Sequence, residues 1–206
     1  MLRADLSARE PRLDKNPIVL LELVERLGNL MRTELRKAGA DETLQPVHLQ
    51  ALIYLGKANR YSNTPQALAE YLGLTKGTVS QTLLLLDRRG LIERFEDDID
   101  RRVVRLRLST SGERLLYESQ PALAWQNATR NISPNRIRNA TSALREALVT
   151  LQEDNEASVF GVCHSCTHCQ KLSQRIYRCG QMGDRLSGPE TRKLCRIYEP
   201  KTEEVG

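Results

Sequence analysis

The sequence predicts a mainly helical protein with one small β-hairpin, followed by a short segment held together by cysteines and a metal. Three observations predict this. Apolar residues recur at three- and four-residue steps through residues 18–89 and again after residue 109. An alternating, β-branched pattern is confined to residues 91–108. All five cysteines of the 206-residue chain lie between Cys163 and Cys195. Hydrophobic residues make up 40% and charged residues 28%, enough apolar material for a core, and with aromatics at 4% that core must be built from Leu, Ile, Val and Ala. The length excludes a large multidomain enzyme.

The elements follow in order. Residues 1–16 form a charged arm carrying Arg3, Asp5, Arg9, Glu10, Arg12, Asp14 and Lys15, which no signal-peptide apolar region would tolerate. Pro17 suits a first helical position, where a missing N–H costs nothing. Leu20, Leu23, Val24, Leu27, Leu30, Met31 and Leu35 then mark one face of a long helix closed by Gly39. Residues 46–57 repeat the pattern with Val47, Leu49, Leu52, Ile53 and Leu55. Thr64 caps a short helix with Pro65 first and Gly73 as its stop. Thr75 caps the next, with Val79, Leu83 and Leu86 as its buried stripe and Gly90 as its end. Residues 91–95 and 103–108 read as two strands joined by a charged tip, Glu96-Asp97-Asp98-Ile99-Asp100-Arg101-Arg102. Ser109 or Thr110 caps a following helix, and a last helical pattern fills residues 135–151.

Helix, short helix, capped helix and two-stranded hairpin in this order make a winged helix-turn-helix. Lys76, Gly77, Thr78, Ser80 and Gln81 stand on the first turns of the capped helix, small and polar residues that let a helix enter a major groove and reach base edges. The chain carries 31 Lys and Arg against 26 Asp and Glu, a balance that suits an anionic partner. Between residues 75 and 107 the excess is only eight against six, so affinity for DNA would rest on placed arginines rather than a broad basic face.

These motifs resemble the MarR family of bacterial transcriptional regulators. The resemblance runs through Thr64-Pro65-Gln66-Ala67-Leu68-Ala69, Leu74-Thr75-Lys76-Gly77-Thr78-Val79-Ser80-Gln81, Asp87-Arg88-Arg89-Gly90-Leu91-Ile92 and Asp100-Arg101-Arg102-Val103-Val104-Arg105-Leu106, then Leu108-Ser109-Thr110-Ser111-Gly112. It covers residues 17–151. It implies a homodimer with an interleaved helical dimerisation region, bound to a palindromic operator in double-stranded DNA. Lys76, Thr78, Ser80 and Gln81 would then read the major groove, and Arg101 or Arg102 would enter the minor groove. Two alternatives stay open. Ser80 and Gln81 could instead be simply solvated, and Arg101 and Arg102 could pair locally with Asp98 and Asp100 to hold the hairpin. Leu83-Leu84-Leu85-Leu86 departs from the family, whose members carry polar residues there; Leu84 either touches a thymine methyl or packs on a neighbouring helix.

The C-terminal region, residues 156–206, is set apart by Cys163-x2-Cys166-x2-Cys169-x9-Cys179-x15-Cys195. An odd, clustered set argues against a secreted disulfide framework and for a metal. Two thiolates two residues apart can hold one ion or cluster from a single turn, with distant cysteines completing the set. Cys163, Cys166, Cys179 and Cys195 are the candidate ligands, with Cys169 a possible alternative. Either zinc or an iron-sulfur cluster, preferably four-iron four-sulfur, would accept them; the spacing Cys-x2-Cys-x12-Cys-x15-Cys looks like that of high-potential iron-sulfur proteins and of small cluster-bearing subunits of some glycyl-radical enzymes. His164 and His168 are expected behind the ligands or in solvent, and His48 packed or exposed. With few apolar residues, this segment needs a staple to fold.

No phosphate loop, nucleophile elbow or His-Glu-x-x-His motif marks an enzyme. The longest apolar runs are too short to span a bilayer, so a cytoplasmic protein without membrane contact is expected. The reading is a MarR-like regulator whose cysteine segment, folded against the dimerisation helices, senses redox state, oxygen, nitric oxide or iron. The alternatives are a regulator answering to a small aromatic ligand with a purely structural zinc, and an electron-transfer protein.

Overall fold

The computed structural model describes residues 16–38, 44–119, 123–155 and 157–201. The expected arm, apart from Asn16, and the Gly39 helix stop lie outside the described residues. Helix α1 spans Pro17–Ala38. Asn16 opens it, its side-chain oxygen accepting from the Ile18 N–H at 3.0 Å. Leu35 is buried, but Leu20, Leu23, Val24, Leu27 and Leu30 face solvent. Helices α6 (Leu123–Thr129) and α7 (Pro134–Asp154) behave alike: neither buries a single residue, and Trp125, Ile137, Leu144, Leu148 and Leu151 are exposed. The sequence reading missed α6, which at 7 residues is too short for its periodicity to register.

Between these lies a compact lobe. Helices α2 (Pro46–Lys57), α3 (Pro65–Leu72) and α4 (Lys76–Arg88) pack with strands β1 (Ile92–Glu96) and β2 (Val104–Leu108) and with α5 (Thr110–Ser119). The hairpin is antiparallel, with Ile92 opposite Leu108 and Glu96 opposite Val104. Leu49, Leu52, Tyr54, Leu68, Val79, Leu83, Leu86 and Leu106 form a core in which no member exceeds 2% exposure. Each buried leucine contributes about 2 kcal/mol, so this leucine set, rather than aromatic mass, holds the lobe. Ser109 resolves the capping choice: its Oγ accepts from the Gly112 N–H at 3.0 Å and donates to the Gly90 carbonyl at 2.5 Å. Gly112 is required there because a Cβ would collide with the Leu91 carbonyl.

Beyond α7 the chain returns to this lobe. Phe160 packs edge-on to Tyr54 and Tyr71, at ring-centre distances of 6.3 and 5.2 Å. Strand β3 (Gly161–Val162) pairs with β7 (Leu194–Cys195), enclosing a 3-10 turn at Cys163–Ser165, an antiparallel sheet of β4 (Cys169–Lys171), β5 (Ile176–Cys179) and β6 (Arg185–Ser187), and a turn of helix α8 (Gly188–Thr191). The expectation that this segment lies against the dimerisation helices is corrected by its contacts. It docks on the corner between α2 and α3. Leu194 bridges Ala58 and accepts from the Asn59 N–H at 2.9 Å, and Arg196 makes a two-pronged ion pair with Glu70 at 2.5 and 2.7 Å. Tyr61 donates to Asp184 at 2.7 Å, and Arg60 pairs with Glu190. Polar partners at the end of α2 and along α3 hold it there.

Candidate nucleic-acid interface and thiol cluster

The turn before α4 is built as the sequence requires. Gly73 closes α3 in the left-handed region at φ 63°, and Thr75 caps α4, its Oγ1 accepting from the Thr78 N–H at 3.2 Å. Burying Val79, Thr82, Leu83 and Leu86 turns the opposite face of α4 outward, so Lys76, Gly77, Thr78, Ser80 and Gln81 are all exposed. Thr78 has a second duty, since its hydroxyl lies 2.9 Å from that of Thr75 and steadies the cap. Leu84 stays out of the core at 37% exposure. It lines a groove of about 760 Å³ between the start of α2 and α4, with Val47, Gln81 and Arg88. In the groove wall His48 is buried, and its Nδ1 accepts from the Gln45 N–H at 2.9 Å. Burial first, and then the Arg89 charge, keep this imidazole below its ordinary pKa, which preserves the neutral acceptor.

At the hairpin tip the two arginines differ. Arg102 folds back on Asp100, with Nε and Nη2 at 3.0 and 3.1 Å from its carboxylate oxygens, while its side chain remains 92% exposed. Arg101 is exposed and has no ion pair among the described residues. Beneath them Asp97 organises the tip: its carboxylate accepts from the Ile99 and Asp100 N–H groups and from Arg105 Nε at 2.7 Å. The Asp100 N–H, then Arg105, then the Ile99 N–H draw its pKa down to about 2. Arg105 also donates to the Arg60 carbonyl at 2.6 Å and to Asn63 at 3.2 Å, and the Leu106 N–H donates to the Asn63 carbonyl at 2.8 Å. Residues 59–63 thus hold the wing on one side and the cysteine segment on the other. The sequence reading gave neither this loop nor Arg105 a role, because the contacts of Arg105 with Arg60 and Asn63 join residues more than forty apart.

The structure brings all five cysteines together as free thiols. Cys163, Cys166, Cys179 and Cys195 are buried at 4–6% exposure, and Cys169 is half-buried. Successive turns place the first three, through Cys166 N–H to Cys163 O at 2.9 Å and Cys169 N–H to Cys166 O at 3.1 Å. Register sets Cys169 directly opposite Cys179, and β7 brings Cys195 beside Gly161. Gly161 is itself required, because a Cβ there would run into the Tyr198 ring. Burial, then the neighbouring Cys169, Cys195 and Cys166, push the Cys163 thiol up to about 12. Cys195 is raised by burial and receives hydrogen bonds from the Asn59 side chain and the Ile197 N–H, the donors a thiolate at that position would need. His164 is exposed, and His168 Nε2 lies 2.8 Å from a Glu199 oxygen. Among the described residues, no three His, Cys, Asp or Glu side chains stand disposed as a finished metal ligand set. The thiols are gathered without forming such a set.

With this geometry in view, the lobe has the fold of a winged-helix regulator of the MarR type. Residues 43–103 match the MarR family description. The chain is 36% identical over 100 residues to the transcriptional repressor MprA of Escherichia coli K12, a match covering 48% of this chain and 52% of MprA. It therefore spans about half the length of the curated relatives it matches. In three dimensions it resembles FabT of Streptococcus pneumoniae, determined in complex with DNA, with a TM-score of 0.54, 23% identity and coverage of 66% of this chain and 97% of FabT. It also resembles a MarR-family regulator from Silicibacter pomeroyi, with a TM-score of 0.56, 21% identity and coverage of 64% and 88%. No described helix is long and apolar enough to cross a membrane.

Proposed function

We propose that the protein is a DNA-binding transcriptional regulator that acts as a homodimer, without catalytic activity, and that its C-terminal thiols bind a metal through which it senses redox state, oxygen, nitric oxide or iron. The observation that carries the DNA reading is the lobe itself: a capped helix offers Lys76, Thr78, Ser80 and Gln81 to solvent next to a braced hairpin that projects Arg101. MprA is a repressor and FabT has been seen on DNA, which supports the same reading. Of the two tip arginines, Arg101 is the better candidate for the minor groove, since Arg102 must first leave Asp100. The homodimer reading is supported by the solvent-facing apolar stripes of α1, α6 and α7, which are suited to interleaving with a second copy.

The metal reading rests on four nearly fully buried thiols converging in a segment poor in apolar residues. Cys163, Cys166, Cys179 and Cys195 would hold the metal, with Cys169 as a fifth thiol beside them. A four-iron four-sulfur cluster would supply redox sensitivity, whereas zinc would supply only a staple. The chain's own residues transmit the state of the segment. Asn59 contacts Cys195, Ser62 receives the Arg196 N–H at 2.8 Å, and Asn63 and the Arg60 carbonyl hold Arg105, which holds Asp97 at the wing tip. Release of the segment would loosen the wing and shift the population that fits DNA.

The test is anaerobic purification with iron, sulfide and zinc analysis, a visible spectrum, and binding to the DNA upstream of the protein's own gene before and after oxidation. Brown protein whose DNA affinity changes on oxidation is expected. If Cys163→Ser with Cys179→Ser leaves metal content and DNA affinity unchanged, the sensor reading fails; colourless protein with stoichiometric zinc and oxidant-indifferent DNA binding selects the structural staple.

A further inference from the structure

The net charge of the chain is located almost entirely in the cysteine segment. Residues 157–201 hold eight Lys or Arg against three Asp or Glu, whereas the whole chain holds 31 against 26, so the remainder carries 23 of each. The segment's acids are also largely spent. Asp184 accepts from Tyr61, and Glu190 is engaged by Ser187 and Arg60 at the docking corner. Of the basic residues only Arg196 is ion-paired, with Glu70; the other seven are exposed and make no ion pair among the described residues, although Arg178 Nε donates to the Gly183 carbonyl at 3.3 Å.

Strand register sorts these charges. In an antiparallel sheet, residues directly opposite one another share a face, and successive residues alternate between faces. One face of β4–β5–β6 carries Cys169, Cys179, Tyr177 and Leu186, with Leu186 and Cys179 buried. The other carries Gln170 opposite Arg178 and Arg178 opposite Arg185, both arginines exposed. Two like charges directly opposed destabilise a sheet unless an anion bridges them. The segment sits beside the wing: Glu190 and Lys193 line one cleft of about 350 Å³ with Asn63, Phe95 and Arg107.

We propose that the outer face of this sheet, centred on Arg178 and Arg185, binds the phosphodiester backbone of duplex DNA flanking the sequence read by α4 and the wing. The proposal rests on the DNA-binding reading above and adds a third point of attachment to it. The lobe supplies shape and base-reaching side chains with almost no net charge, and the cysteine segment supplies the sequence-independent attraction. Because Cys169 and Cys179 lie on the inner face of the same sheet, whatever staples Cys179 also holds the two arginines at fixed spacing.

The salt dependence of DNA binding by the protein, purified anaerobically, tests this. A duplex of about 30 base pairs and arbitrary sequence is titrated with wild type and with Arg178→Gln/Arg185→Gln, the fold of the variant being checked by its melting curve and thiol accessibility. Every phosphate that the protein ceases to neutralise flattens the plot of log K against log salt by about 0.9. With two arginines lost from each protomer of the homodimer, a slope shallower by about 3.6, with affinity down more than about tenfold near 0.1 M salt, is the expected result. Arg178→Lys/Arg185→Lys should restore most of the slope, which separates charge from packing. Duplex binding by wild type with the same slope and affinity in the Gln variant overturns this proposal alone. So does a variant that retains DNA binding but loses affinity for polyglutamate, which would assign the face to an acidic protein. If wild type binds no duplex at all, the DNA-binding reading falls and takes this proposal with it.

Discussion

The winged lobe and the cysteine segment reach a defined structure by opposite means. In the lobe, leucines at helical spacing from α2, α3 and α4 meet Leu106 of the hairpin in a dry core, and polar groups serve at the caps. In the segment, Cys163, Cys179 and Cys195 occupy the positions that leucines hold in the lobe, Leu186 is the one fully buried aliphatic side chain, and Leu172 and Ile176 are left exposed. The lesson concerns surface against volume. About 45 residues enclose too little apolar volume to offset chain entropy, so buried thiols, and polar clamps to a larger neighbour, stand where the core is missing.

The sharpest way to break this contrast is to remove the thiols. Cys179→Ser with Cys195→Ser should abolish metal content and leave residues 157–201 with fast amide exchange, while the lobe's exchange protection is retained; structural metal sites contribute on the order of 10 kcal/mol to folding. Collapse of the lobe's protection as well would show that the two regions fold as one. Next in size, Leu83→Ala should lower the lobe's stability by about 3 kcal/mol, read by thermal unfolding, with metal content unchanged. A smaller effect is expected at Thr75→Ala, about 1 kcal/mol, appearing as faster exchange in the first turn of α4 and weaker DNA binding.

The docking clamp gives the smallest effect, and one that depends on pH. Burial raises the Glu70 pKa, but hydrogen bonds from Arg196, Ser158 and Gln66 outweigh it and leave the carboxylate below its ordinary value of 4.5. A depressed folded pKa means that the clamp's contribution is complete above about pH 4.5 and is lost as pH falls through the lower value. Glu70→Gln should therefore loosen the segment at neutral pH, by a fraction of a kcal/mol for a partly exposed pair, and should have progressively less effect in acid. Amide exchange of residues 190–198 against pH measures it; equal differences at pH 3 and pH 7 would assign the effect to something other than ionisation.

Much of the lobe was legible because its signals are local. Thr64, Gly73, Thr75 and Ser109 each act within a few residues of themselves, and Val79, Leu83 and Leu86 announce their face by spacing alone. The same holds for the exposed polar residues on α4, which are fixed once the buried stripe is fixed. The wing arginines were only half legible: both stood next to acids, and the geometry of the tip alone shows that Arg102 pairs with Asp100 while Arg101 does not. The helix α6 escaped notice, and so did the part His48 plays as the acceptor at the start of α2.

By itself, then, the sequence determined the order of elements, the core stripe, the caps, and the gathering of five cysteines into one short stretch, because each depends on spacing along the chain. Only the tertiary structure decided where that stretch docks, which loop joins it to the wing, and that Arg178 and Arg185 share the face opposite the thiols. The docking is a matter of contacts across more than a hundred residues, such as Glu70 with Arg196 and Arg60 with Glu190, and the shared face of Arg178 and Arg185 is set by the register of β5 on β6. No local rule fixes such a contact, since each partner alone reads as an ordinary solvated charge.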